Sequence, residues 1–453
     1  ARRAALVLTG LPPEPEQLQR FLKDQRPDAY ELLVDELLAS SRYGEHQARY
    51  WLDAVRYGDT HGLHLDNKRG IFPYRDWVVR AFNQNQPLDE FITWQLAGDL
   101  LPKPTLAQLV ATGFVRMNPS TAEGGAIPEE FQAKNNFDRV ETLGTALLGM
   151  SLTCARCHTH KFDPIPQTEY YRLMAFFNST AEPSMDGNRY EYGPTIKAPA
   201  NHSAWDSWDA IQVEAKAMPI DQAKILETAN AFVEKSEQKE KSAAKKWNKA
   251  KPQDRLKQVA DAKGIFKDLP IHKEAGALLK RMDAMKGKMT TTLVAKDLSK
   301  PRVTKLLERG EYNLAKGEPL QPGVFAVMGA YPKDAPANRL GLAQWLTARW
   351  HPLVSRVLIN RVWQRTFGEG LVRTPADFGL QGEQPTHPEL LDWLAVELQD
   401  RKWNLKAMLR LIVTSRTFKQ SSAHRADVED PENLLWARGP SHRLDAEVLR
   451  DIA

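Results

Sequence analysis

Cysteine is nearly absent from this chain, with two residues in 453. No disulfide framework therefore holds the fold together. No run of 18 or more apolar residues occurs, which excludes a membrane-spanning helix. Charge of one sign is also scarce: 62 Lys+Arg against 57 Asp+Glu leave a formal net charge of +5. Residues 234–251 alone hold seven Lys and three Glu, so most of that excess sits in one segment. A global nucleic-acid-binding character does not follow. Hydrophobic residues at 42% and charged residues at 26% exclude both a disordered tail and a membrane bundle. The chain begins at Ala1 with no visible signal peptide, which reads as a processed or trimmed start and says little about compartment.

What is present falls into three textures. Residues 1–202 are rich in aromatics, Gly and Pro, and several helices are legible there. Leu33/Leu37 and Val34/Leu38 repeat at i,i+4. Further helical patterns run through Tyr50–Tyr57, Tyr74–Phe82, Phe91–Leu96, Asp138–Met150 and Glu169–Phe177. Only Ala4–Thr9 (AALVLT) reads as a strand. Residues 203–289 lose most Gly and become rich in Ala, Lys, Glu and Gln, which suggests a helical hairpin. Its basic stretch, 234–251, reads as a solvated helix pair or as an arm for an acidic partner. Residues 290–453 form a second helical region, with patterns at 340–346, 353–367, 388–398, 405–413 and 444–452. The last pattern runs into the chain end, so this region is expected to be truncated. The expected fold is mainly α: a helical first domain with Gly/Pro-rich loops, a helical-hairpin insert and a second helical domain.

The two cysteines lie in Cys154-Ala155-Arg156-Cys157-His158, the attachment pattern of a c-type haem. Each thiol adds across one porphyrin vinyl group, and the following imidazole becomes the proximal iron ligand. A redox dithiol or a zinc site using Cys154, Cys157 and His160 are the competing readings. If one haem c is attached, its sixth ligand decides between electron transfer and chemistry on a small molecule. Candidates are His64 first, then His61 and Met117, whereas Met150 reads as core packing. Asp59, His61, His64, Asp66 and Asn67 concentrate ligand-type groups in one Gly-containing loop, though a solvated loop explains them equally well. Glu123 stands beside Gly124-Gly125, where a backbone can approach a ligand closely. Asp163 could hold an imidazole N–H as a supporting partner. Asp59, His61 and Glu123 are thus the catalytic candidates, and whether the chain is an enzyme stays open.

At these motifs the chain resembles a known family. The segments ASSRYGEHQARYWLDAVRYGDTHG, FPYRDWVVRAFNQNQPLDEFITWQLAGDLL, EGG and CARCHTHKFDPIPQTEYYRLMAFFN are similar to the planctomycete-type cytochrome C domain. The stretch from RLGLAQWLTARWHPLVSRVLINRVWQRTFGEG to SHRLDAEVLRDIA looks like its usual C-terminal companion domain. The resemblance implies a mainly helical periplasmic, cell-surface or secreted protein with one covalent haem held by Cys154, Cys157 and His158. A redox protein partner is expected from the haem reading. Asp59, Glu123 and Asp163 occupy characteristic motifs of the family, but Ala122 stands where a polar residue is common. The activities the resemblance leaves open are single-electron transfer, haem-dependent oxidation of a carbohydrate or peroxide, and a scaffold role in a surface redox assembly. In the companion region Asn360, Arg361, Trp363, Asp377, His387 and Glu389 read either as a cleft or docking face or as a packing and capping network.

Overall fold

The computed structural model describes residues 1–63, 65–236, 241–441 and 443–453. The chain is mainly helical, and it divides into two compact units. Ala1–Ile196 and Thr292–Ala453 make the first, and Lys197–Thr291 the second. The insert expected over 203–289 falls within the second unit.

Among the described residues the first unit opens with the helices α1 (Arg2–Thr9), α2 (Pro15–Lys23), α3 (Ala29–Ala39), α4 (Ser41–Ala54), α5 (Phe72–Asn83), α6 (Leu88–Ala97), α7 (Leu106–Ala111), α8 (Pro128–Leu143) and α9 (Gln167–Ala175). The expected strand at Ala4–Thr9 is corrected to helix α1. Ala4, Ala5, Val7 and Leu8 are buried, a spacing that fits one face of a helix. Gly10, in the left-handed region at φ 74°, stops α1 and lies against the His46 ring of α4. A short apolar run carries no period that separates strand from helix, which is why the pattern misleads.

Local chemistry sets the other boundaries. The Ser40 hydroxyl accepts from Arg42 N–H (3.3 Å) to cap α4. Pro73 and Pro128 occupy the first turns of α5 and α8, where a missing N–H costs nothing. α8 begins ten residues before the Asp138 expected from periodicity, because its first half carries polar residues such as Asn135 and Asn136 that are nonetheless buried. Between α4, α5 and α6 the aromatic core forms: Trp77 stacks on Phe91 at 5.1 Å, and Gln95 Oε1 accepts from both Trp51 Nε1 (2.8 Å) and Tyr74 OH (2.6 Å).

Strand β1 (Thr195–Pro199) pairs with β2 (Met289–Leu293), and the boundary between the units falls within these two strands. Between them the second unit holds α10 (His202–Asp206), α11 (Trp208–Ser236), α12 (Lys241–Lys249), α13 (Pro252–Val259) and α14 (Pro270–Lys286). Among the described residues this unit shows these five helical segments rather than the expected hairpin. The reason is Trp247: it sits inside the Lys-rich run yet is 1% exposed, with its ring 5.0 Å from Phe266. The basic segment is thereby anchored to an apolar core. Residues 237–240 of that segment lie outside the described residues.

The first unit resumes with the antiparallel ribbon β3 (Thr304–Leu307) and β4 (Ala315–Leu320), then α15 (Arg339–Leu346), α16 (Val354–Phe367), α17 (Pro388–Asp400), α18 (Leu405–Val413), α19 (Arg416–Lys419) and α20 (Ala446–Ile452). Two features lock this region to α1–α9. Arg339 is fully buried and pairs with Asp99 (2.7 Å) and Asp297 (2.9 Å). Burial works against its charge, and the two carboxylates more than offset that cost. Gly149, at φ 58°, leaves room for Phe378 and Val357, where a Cβ would come within 2.8 Å of each.

Candidate functional site

The segment carrying both cysteines follows α8. That helix ends in a wider π-type turn at Gly144–Leu148, and Thr153–Arg156 then forms a single 3₁₀ turn. Cys154 and Cys157 are free thiols, both exposed. Among the described residues no strand precedes them, so the setting of a dithiol after a buried strand is not reproduced here.

His158 is exposed, and its Nδ1 lies 2.7 Å from the carbonyl oxygen of Thr159. A carbonyl only accepts, so Nδ1 donates and carries the proton of the neutral ring. Nε2 then presents a lone pair, the state in which an imidazole ligates a metal. The neighbouring His160 is set the other way. Asp163 N–H donates to its Nδ1 (2.9 Å), which places the proton on Nε2 and withdraws that nitrogen from coordination. Among the described residues no group of three or more His, Cys, Asp or Glu side chains is gathered as a metal site.

Residues distant in sequence fix the turn. α9 supplies Tyr171 OH and Gln167 Nε2, which donate to the Arg156 carbonyl at 2.9 and 3.0 Å. Burial raises the Tyr171 phenol, and the adjacent Cys157 adds to that shift. The Arg156 guanidinium lies 4.7 Å from the centre of the Phe137 ring, pointing inward between the two outward cysteines. Beside it Glu141 is raised by burial, against the pull of Arg156. Gly310, at φ 75°, completes the cradle: a Cβ there would stand 2.8 Å from Arg156 Nε and 3.3 Å from Cys157 Sγ. Sequence reasoning missed Gln167, Tyr171 and Gly310. The first two belong to a motif that was legible only as a helix, and Gly310 has no local signal.

The donor set suits a covalently attached haem: two free thiols and one imidazole with its coordinating nitrogen exposed, all within five residues. Asp163 stands beneath this segment, with its carboxylate 3.3 Å from His160 Nδ1 and accepting from Leu380 N–H (2.8 Å). The imidazole it meets is that of His160, and His158 uses the Thr159 carbonyl instead.

The remaining candidates gather elsewhere. Ser120 N–H donates to the His61 carbonyl (2.8 Å), so the loop holding Asp59 and His61 runs beside the loop leading to Glu123. His61 is 2% exposed. Its Nε2 lies 3.0 Å from the Arg189 carbonyl and its Nδ1 3.7 Å from Asp186 Oδ2. Burial lowers the His61 pKa, opposed by Asp186. Asp59 is exposed, accepts from Tyr57 OH and lies 3.9 Å from Arg75. Glu123 is exposed, and a Cβ on Gly124 or Gly125 would meet nothing within 4 Å. Met117 and Met150 are both buried. His64 lies outside the described residues. Among the described residues, no hydrogen bond, ion pair or ring contact joins these loops to Cys154–His158.

In the companion region, Asn360 makes paired 2.9 Å bonds to the N–H and carbonyl of Val372. Trp363 stacks on Phe367 at 4.3 Å, and Asp377 accepts from Gly379 N–H (3.0 Å). Pro388 opens α17 with Glu389 in its first turn, and His387 precedes it. Asn360 and Trp363 thus serve packing and Asp377 a local turn, whereas the His387 side chain makes no cap bond to α17. Arg361 differs, since it lines a cavity discussed below.

Residues 1–182 match the family described as PSCyt2, protein of unknown function (DUF1549). Residues 338–453 match PSD1, protein of unknown function (DUF1553). The two matches agree with the domain pairing read from the motifs. No curated protein and no solved structure matches the chain.

Proposed function

We propose that this chain is a c-type cytochrome carrying one haem c, and that it passes single electrons to a redox protein partner in the periplasm or at the cell surface. The observation that carries the reading is the hydrogen bond from His158 Nδ1 to the Thr159 carbonyl (2.7 Å), next to two free exposed thiols. It presets the tautomer that a proximal ligand requires. Cys154 and Cys157 would hold the group through thioether bonds, and His158 would hold its iron through Nε2. When bound, the group supplies an iron centre that cycles between ferrous and ferric states. The first family's name, which contains an abbreviation suggestive of a cytochrome, supports the reading. The structure carries no helix long and apolar enough to cross a membrane among its described residues. The 234–251 segment is a candidate dock for an acidic partner.

The test uses protein produced with c-type haem maturation machinery. Denatured wild type should show an intact mass raised by one haem, and the reduced native protein should show sharp low-spin bands. His158→Ala should keep the mass gain and lose the low-spin spectrum. A wild-type mass with bare thiols would sink the reading. Ready carbon monoxide binding by the reduced protein would instead point to an open sixth position and to chemistry on a small molecule.

A further inference from the structure

A cavity of about 1590 Å³ opens within the first unit, between α1, α4 and α6 on one side and α16, α18, α19, residues 440–441 and residues 443–448 on the other. Among the described residues its wall carries seven Arg or Lys side chains against three carboxylates, Asp53, Asp445 and Glu447. Two of those carboxylates are already engaged, because Arg49 pairs with Asp445 (2.6 Å) and Glu447 (3.2 Å). Arg3 is likewise committed, to the backbone carbonyls of Phe418 and Gln420.

Arg361 and Arg365 are not neutralised in this way. They sit four residues apart on α16 and therefore share one helix face. Arg361 donates one hydrogen bond, to the Thr145 carbonyl (2.7 Å), and its Nε is buried without a partner. Arg365 has a buried Nε with no partner, and its described contact is the Tyr50 ring at 5.7 Å. Burial pulls both guanidinium pKa values below their usual range, opposed by Asp53 at Arg361 and by Tyr43 and Tyr50 at Arg365. Both side chains are half-buried, and among the described residues no carboxylate lies within ion-pair distance of either, so Asp53 offsets Arg361 only at longer range and the pair carries unmatched positive charge.

We propose that the cavity is a binding site for an organic anion, whose carboxylate, sulfate or phosphate group is held by Arg361 and Arg365. Planar guanidinium forks match the oxygen geometry of such groups in two-pronged fashion. The volume exceeds what a bare inorganic ion needs, and Phe82, Phe91, Ile92 and Leu358 supply an apolar wall for the rest of the ligand. His46 also lines the site. Burial, with Arg49 and Arg365 nearby, pushes its pKa down to about 4, so it is neutral near pH 7 and competes for no anion.

The inference is independent of the haem reading and is tested by calorimetry on the whole chain. Inorganic sulfate is titrated at constant ionic strength held with chloride, and benzenesulfonate is titrated in parallel. Both should bind saturably at one site, with benzenesulfonate at least tenfold tighter because its ring reaches the apolar wall. Arg365→Met and Arg361→Gln should each weaken binding at least tenfold. Arg20→Gln, which removes an exposed pair with Glu36, should leave it unchanged. In buffer without sulfate or sulfonate Arg365→Met should have a Tm no lower than wild type, since it removes a half-buried charge that has no carboxylate partner among the described residues. A guanidinium that served only the fold would give the opposite. Arg365→Lys keeps the charge and loses the fork, so it should stay folded and bind more weakly. Non-saturable sulfate uptake, or affinities that both arginine variants leave unchanged, would overturn the proposal. Equal affinities for the two probes would overturn its organic part.

Discussion

The carboxylate of Asp163 accepts the backbone N–H of Leu380 at 2.8 Å, across 217 residues of sequence. Gly379 lies flat against the same carboxylate, where a Cβ would come within 2.5 Å of its oxygen. The segment just after the Cys-x-x-Cys-His motif is therefore clamped by a loop of the companion region. Asp163→Ala leaves the Leu380 N–H without its acceptor and should cost about 1–3 kcal/mol. Gly379→Ala should destabilise as well, by steric conflict rather than by a lost hydrogen bond. Urea unfolding of both variants checks this. Full stability in Asp163→Ala would show that the clamp contributes nothing.

Gly310 offers a second test. Its φ of 75° and its closeness to Arg156 and Cys157 both disfavour any side chain. Gly310→Ala should cost about 1–3 kcal/mol, from left-handed backbone strain plus displacement of the Arg156 side chain. Because the new methyl also crowds Cys157 Sγ, the fraction of chains bearing two thioethers should fall. Intact-mass analysis after haem maturation reads that fraction directly, and an unchanged value with unchanged stability would remove Gly310 from the cradle.

How much of this was legible in sequence depends on the distance between partners. The Cys154–His158 spacing is local and readable at once, and α18 is read to its ends because Leu405, Leu409, Ile412 and Val413 repeat with a helical period. α1 was misread for want of length. Trp247 gave no sign that it belongs to a core, since its neighbours are lysines. The supports of the candidate site are harder still. The Arg339–Asp99 pair spans 240 residues. The Leu307 and Gly310 side of the cradle comes from a ribbon more than a hundred residues beyond the motif. Such pairings are set by tertiary packing and leave no periodic trace.

Glu182 yields a prediction for acid conditions. It pairs with Arg139 in the interior, with side chains 5% and 3% exposed. Burial alone would raise the Glu182 carboxyl, but Arg139, Arg116 and the Thr180 hydroxyl hold it down at about 2. A depressed carboxyl contributes stability above its unfolded value and loses it as pH falls towards the folded one. The wild-type urea midpoint should therefore drop between about pH 4.5 and pH 2, and Glu182→Gln should lack that component. The variant should also lose about 3–5 kcal/mol near pH 7, because Arg139 is left buried without its carboxylate.

Histidine sets a second acid-sensitive range, at higher pH. His351 is 3% exposed, and burial pushes its pKa down to about 4. Its Nδ1 accepts from the N–H groups of Leu353 (3.2 Å) and Val354 (3.4 Å) at the start of α16. Protonation would set a donor against two donors. The folded state stays neutral while the unfolded chain takes up a proton near pH 6.5, so stability falls as pH drops from about 7 to 4, and this contribution levels off below that. At about 1.4 kcal/mol per unit, the loss reaches about 3 kcal/mol for this one residue. His351→Asn keeps a side-chain acceptor for the α16 N–H groups and removes the titration. Its urea midpoint should change less between pH 7 and pH 4 than that of wild type. An identical slope in the two proteins would mean that the His351 ring is protonated in the folded state without penalty.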